Sequence, residues 1–148
     1  MVYHPDLAPL SYPPPESETG FTPLAIGWLS KLGTYTTGDT PEAFRANLLE
    51  LCAKATVRYT FGYHFCELCG NEASYVITQV QYAGEELLLG NGEIWTIGKS
   101  VLYAAPTLIY HYVTVHNYQP PYEYIESVLT TEIDSAEYRD FIEQIDNL

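Results

Sequence analysis

Residues 62–70 read Gly-Tyr-His-Phe-Cys-Glu-Leu-Cys-Gly, and this short run constrains the fold more than any other part of the chain. A C-x-x-C spacing puts two sulfurs on one side of a tight turn. Thiolates so placed span about 3.7 Å, one edge of a tetrahedron around zinc with bonds of about 2.3 Å. Gly70 permits the sharp backbone that such a knuckle needs. Two sulfurs are half a ligand set, so two more donors must arrive from elsewhere. The chain has four histidines, His4, His64, His111 and His116. His64 stands two residues before Cys66 and shares a face with it on an extended backbone. His111 falls inside an apolar helical stretch, where a buried imidazole needs partners for both nitrogens and a metal supplies one. His116 comes five residues later, roughly 140° around a continuous helix. It joins His111 on one ion only where the helix frays before Asn117. The expected set is Cys66, Cys69 and His111, completed by either His64 or His116, with His64 preferred.

A structural zinc ion is the leading reading of these residues. Three others compete: reduced cysteines beside ordinary core histidines without metal, a redox C-x-x-C, and a catalytic zinc. The redox reading lacks a parallel strand–helix unit around the motif. The zinc-deaminase pattern needs H-x-E and P-C-x-x-C, and neither occurs. No H-E-x-x-H, P-loop or G-x-S-x-G is present. The third cysteine, Cys52, lies on the apolar face of a helix and reads as a buried, inert thiol. Three cysteines make an odd count, which argues against a disulfide framework and for reduced thiols.

Around the knuckle the patterning predicts an α+β domain with a small antiparallel sheet and about four packed helices. Residues 1–24 form a proline-rich arm with a Pro13-Pro14-Pro15 run, and residues 1–148 form a single domain. Thr40 and Pro41 open the clearest helix, with Phe44, Leu48, Leu51, Cys52 and Ala55 on one face. Val57, Tyr59 and Phe61 alternate as in a strand, and residues 75–82, 86–89, 93–97 and 100–103 read as further strands. Gly90-Asn91-Gly92 and Gly98-Lys99 read as hairpin turns. Pro106 opens a helix to about His116 that is apolar nearly all round. Pro120-Pro121 starts a third helix, and Ser135 caps a fourth carrying Tyr138, Phe141, Ile142 and Ile145.

Charge narrows the partners. Nineteen acidic residues face six lysines and arginines, a formal net charge of -13. That surface repels phosphate backbones and anionic membranes and steers a basic protein toward it. The longest uncharged stretch, Ser100 to Tyr122, contains Pro106, His111, His116 and Pro120-Pro121 and is a poor membrane span. The N-terminus has neither a basic segment nor an apolar run, so no signal peptide is expected and the cytoplasm is the expected compartment.

Several strings are shared with a known group. Gly62-Tyr63-His64-Phe65-Cys66-Glu67-Leu68-Cys69, Leu89-Gly90-Asn91-Gly92-Glu93-Ile94, Tyr103-Ala104-Ala105-Pro106, Ile109-Tyr110-His111-Tyr112-Val113 and Pro120-Pro121 together resemble an uncharacterised bacterial domain family. Gly27-Trp28-Leu29 and Tyr3-His4-Pro5-Asp6-Leu7 fit as well. The resemblance spans most of residues 1–130 and implies a bacterial cytoplasmic protein without transferring an activity. The expected function is a non-enzymatic, zinc-stabilised interaction domain, of which an immunity or inhibitor protein covering a basic face is one version. A small metal-dependent hydrolase using Glu93 or Glu67 as base, and a thiol-redox protein, are the alternatives.

Overall fold

The computed structural model describes residues 2–10, 22–70 and 76–147. The Pro13-Pro14-Pro15 run and Tyr75 lie outside them. The chain folds as α+β, in the order β1 (Leu24–Ala25), α1 (Glu42–Lys54), β2 (Thr78–Tyr82), β3 (Glu85–Leu89), β4 (Glu93–Ile97), β5 (Leu102–Pro106), α2 (Ile109–Val115), α3 (Tyr122–Thr130) and α4 (Ala136–Asp146). Strands β1, β5 and β4 form one sheet in that order. It is mixed: β1 runs parallel to β5, pairing Leu24 with Tyr103, while β4 runs antiparallel to β5, pairing Trp95 with Ala104. Strands β2 and β3 form a separate hairpin.

Strand β4 is the centre of the core. Its first four residues, Glu93 to Thr96, are all buried, because helices cover it as well as β5. Phe44, Leu48 and Leu51 of α1 and Tyr124 and Val128 of α3 close over it, and Ile109 and Tyr112 of α2, which packs on α1, join the same core. Most of the polar groups taken inside find partners, the Tyr124 hydroxyl being the exception among the described residues. Thr96 and Ser127 share a hydroxyl–hydroxyl bond of 2.8 Å, Ser127 Oγ donates to the Tyr124 carbonyl, and Tyr138 Oη of α4 donates to the Trp95 carbonyl at 2.7 Å.

Several sequence expectations need correction. Residues 57–61 are not a strand. Only Val57 pairs with Glu93, and Arg58 then takes φ 55°, which ends the extended run. The Gly90-Asn91-Gly92 turn does not close a hairpin. It joins β3 to β4, which belong to different sheets. The β2–β3 hairpin turns instead at Ala83 and Gly84, both at positive φ, a geometry that an Asn-Gly signal would have announced and Ala-Gly conceals. Finally, α2 is shorter and more one-sided than its composition suggests. Pro106 ends β5 rather than opening the helix, and Val115 is exposed.

Helix α1 also starts one residue late. Pro41 occupies the cap position, and Thr40 instead accepts the Arg45 guanidinium on its carbonyl and hydroxyl oxygens. At the N-terminus, residues 4–10 run beside β1, with Leu10 N–H bonded to the Pro23 carbonyl and Ala25 N–H to the Ala8 carbonyl.

Candidate metal centre

Two segments 40 or more residues apart in sequence converge at one point. The first is a 3₁₀ turn over Glu67–Cys69. Cys66 precedes it with extended backbone, and Gly70 leaves it at φ 69° and ψ 160°. Among the described residues, no atom lies within 4 Å of where a side chain at residue 70 would begin, and its positive φ is the conformation that favours glycine. Backbone N–H groups of Leu68 and Cys69 bond the Cys66 sulfur, so the turn folds its own amides onto the first thiol.

The second segment is α2 and its C-terminal end. His111 lies on the third position of the helix, which turns Ile109, Tyr112 and Val113 inward. The helix stops at Val115. His116 leaves helical geometry at φ -106°, ψ 9°, and Asn117 takes φ 57°. Asn tolerates that left-handed conformation better than other side-chain-bearing residues. His116 N–H makes the last helical bond to the Tyr112 carbonyl at 3.1 Å, and the reversal lets Tyr118 N–H bond the same oxygen, also at 3.1 Å. The His116 ring, at the helix end itself, stands beside His111 with centroids 5.0 Å apart.

The ligand atoms of Cys66, Cys69, His111 and His116 all lie within 4.8 Å of one another. Cys66 Sγ is 3.3 Å from His116 Nε2; Cys69 Sγ is 3.3 Å from His111 Nε2 and 3.4 Å from His116 Nε2. A tetrahedral site with zinc-type bonds has sulfur–nitrogen edges of about 3.6 Å, so the spacing fits a cation held by two thiolates and two imidazoles. His64 is not in this group, which corrects the preference drawn from spacing. A shared face with Cys66 requires a straight strand, and residues 62–65 form none. The His64 N–H is bonded instead to the Gly90 carbonyl, 2.8 Å away.

Burial has shaped the charge state of the cluster. It pushes the Cys66 thiol up to about 11, with the hydrogen bond that this thiol donates to Cys69 adding to it and the two knuckle N–H groups opposing it. It also pulls His111 down to about 4, helped by the neighbouring His116 ring, and lowers His116. Burial thus disfavours charge on Cys66, His111 and His116. A divalent cation held by these four residues would favour the thiolate forms and release the thiol protons. Tyr112 forms the wall between cluster and core, and its hydroxyl is held protonated first by burial and then by Cys66, Glu67 and Cys69.

Two carboxylates considered as catalytic bases are committed elsewhere. Glu67 accepts a hydrogen bond from Ser30 Oγ, at 3.4 Å. Glu93 accepts from the buried Trp95 indole N–H at 2.9 Å and lies 3.9 Å from Arg58 Nε. Cys52 is fully enclosed, contacts the Thr107 carbonyl and is pushed up to about 12 by burial, as an inert core thiol should be. Among the described residues no helix is long and apolar enough to cross a membrane.

Residues 2–129 match the family described as Domain of unknown function (DUF7919). The chain belongs to that family. The match takes in both halves of the Cys2His2 cluster and stops at the last turn of α3, leaving α4 beyond it. No curated protein matches the chain, and no solved structure matches it.

Proposed function

We propose that this domain is a non-catalytic protein-interaction module whose knuckle is stapled to α2 by one structural zinc ion. The observation that carries the reading is the convergence of four ligand atoms, two sulfurs and two imidazole nitrogens, within 4.8 Å. Borderline-soft thiolate and imidazole donors suit zinc, and four protein ligands complete its tetrahedron. A complete shell leaves no position for a reacting water, so the set favours a structural ion over a hydrolytic one. A thiol raised toward 11 is the reverse of the depressed thiol that redox chemistry uses.

The ion fastens residues 66–69 to 111–116, a long loop closure that the packing near Cys69 does little to secure, since that residue is only half-buried. Fastened in this way, the domain offers a strongly acidic surface suited to a basic protein. An immunity or inhibitor protein covering a cationic face is one form of that role.

Elemental analysis tests the staple. Wild type and His64→Ala should carry close to one zinc per chain, while Cys66→Ser and His116→Ala lose it and melt at lower temperature. Zinc-free wild type, or loss of metal in His64→Ala with retention in His116→Ala, overturns the assignment.

A further inference from the structure

Every second residue from 59 to 65 is aromatic: Tyr59, Phe61, Tyr63 and Phe65. A soluble domain ordinarily turns such a stripe inward. Here Tyr59, Phe61 and Phe65 are exposed, Phe61 completely so, and Tyr63 is half-buried. Single exposed apolar residues are common and call for no explanation; a run of aromatics at strand period does.

The loop that carries them is built to hold its shape. Thr60 N–H bonds the Asn91 carbonyl and His64 N–H bonds the Gly90 carbonyl, each at 2.8 Å, and Thr60 Oγ1 donates to the Gly62 carbonyl at 2.7 Å. At its start, Val57 and Glu93 exchange two backbone bonds of 2.8 Å. The turn glycines make this contact feasible. A Cβ on Gly90 would stand 2.4 Å from the His64 carbonyl oxygen, and one on Gly92 would stand 2.4 Å from Thr56 Cγ2. The far end of the loop runs directly into Cys66, so the proposed zinc staple anchors it there.

We infer, on the strength of the interaction-module reading, that residues 59–65 are the docking surface for a lysine- and arginine-rich protein segment. Aromatic faces carry negative quadrupole charge and attract guanidinium and ammonium groups laid over them, while the aliphatic stems of those side chains cover the rings. The whole chain adds a net charge of -13 that draws cations in. A second copy of this chain brings the same charge and is repelled, as is an anionic membrane. Rings held on a pinned loop lose little freedom when covered, which is what makes aromatic residues effective anchors.

The test uses the full chain, metal-loaded as purified, and a fluorescently labelled oligo-arginine peptide, with an oligo-glutamine peptide as the neutral control. The double variant Tyr59→Ala/Phe61→Ala should keep the zinc content and melting temperature of wild type. It should bind oligo-arginine roughly 5- to 30-fold more weakly, the loss expected for two exposed ring–cation contacts. Equal affinity in the double variant, with wild-type binding intact, overturns the docking surface while sparing the module reading. Failure of wild type to bind oligo-arginine beyond oligo-glutamine overturns both. Self-association of wild type that the double variant abolishes also overturns the proposal, because the occupant is then a second copy.

Discussion

Gly90 sits at φ 113° with the His64 carbonyl pressed where its side chain would be. Two costs therefore fall on any larger residue, a disfavoured backbone region and a collision with another backbone. Strain of the first kind alone costs of the order of 1–3 kcal/mol. Gly90→Ala should lower the stability by at least about 2 kcal/mol in urea unfolding, whereas Gly62→Ala, with open space and an ordinary φ, should change it by less than about 1 kcal/mol. Sequence reading recognised Gly90-Asn91-Gly92 as a turn but mistook its purpose. Turn chemistry is local and visible in residue type. The neighbour that forbids a Cβ belongs to a segment some 26 positions away, and nothing local announces it.

At the scale of elements, the helices were the most legible. The stripe Phe44, Leu48, Leu51, Cys52 is buried as its period requires. In α4, Tyr138, Phe141 and Ile145 face the core, and Ser135 Oγ accepts the Tyr138 N–H as an N-cap. Removing that acceptor leaves a helix-end donor unsatisfied. Ser135→Ala should destabilise the protein by about 1 kcal/mol, seen as a lower denaturant midpoint with an unchanged slope. Strands are less legible because alternation reports only that two faces differ. In residues 57–61 the alternating rings face solvent, so the pattern that marks a half-buried strand marks an exposed loop instead. The parallel pairing of β1 with β5 was invisible, since a two-residue strand has no period to read.

Across the whole molecule, the N-terminal segment is locked by a contact spanning more than a hundred residues. Tyr118 Oη donates to both carboxylate oxygens of Asp6, at 2.9 and 2.7 Å, and Gly27 N–H donates to one of them at 3.0 Å. Burial nonetheless raises the Asp6 carboxyl above its ordinary value, outweighing those bonds. The folded protein then holds this proton to higher pH than the unfolded chain does. Stability from Asp6 is therefore full below the ordinary carboxyl range and falls as pH rises through the raised value. Unfolding midpoints measured across mildly acidic pH should decline less steeply with rising pH in Asp6→Asn than in wild type. Tyr118 follows the Asn117 reversal directly, so the turn just beyond the candidate metal centre delivers the clamp.

The sequence by itself determined the α+β class, the helical faces, the knuckle and the two cysteines and one histidine that any metal would need. Those follow from spacing, and spacing is a property of the chain alone. Only the tertiary structure decided that His116 rather than His64 stands beside them, that the aromatic stripe faces outward, and that the glycine turn exists to be packed against. Each of those depends on where the backbone reverses and which distant segment it then meets. A single left-handed residue, Asn117, turns the chain back across a helix end and carries Tyr118 to Asp6. No periodicity encodes such a step, because it breaks the period on which sequence reading relies.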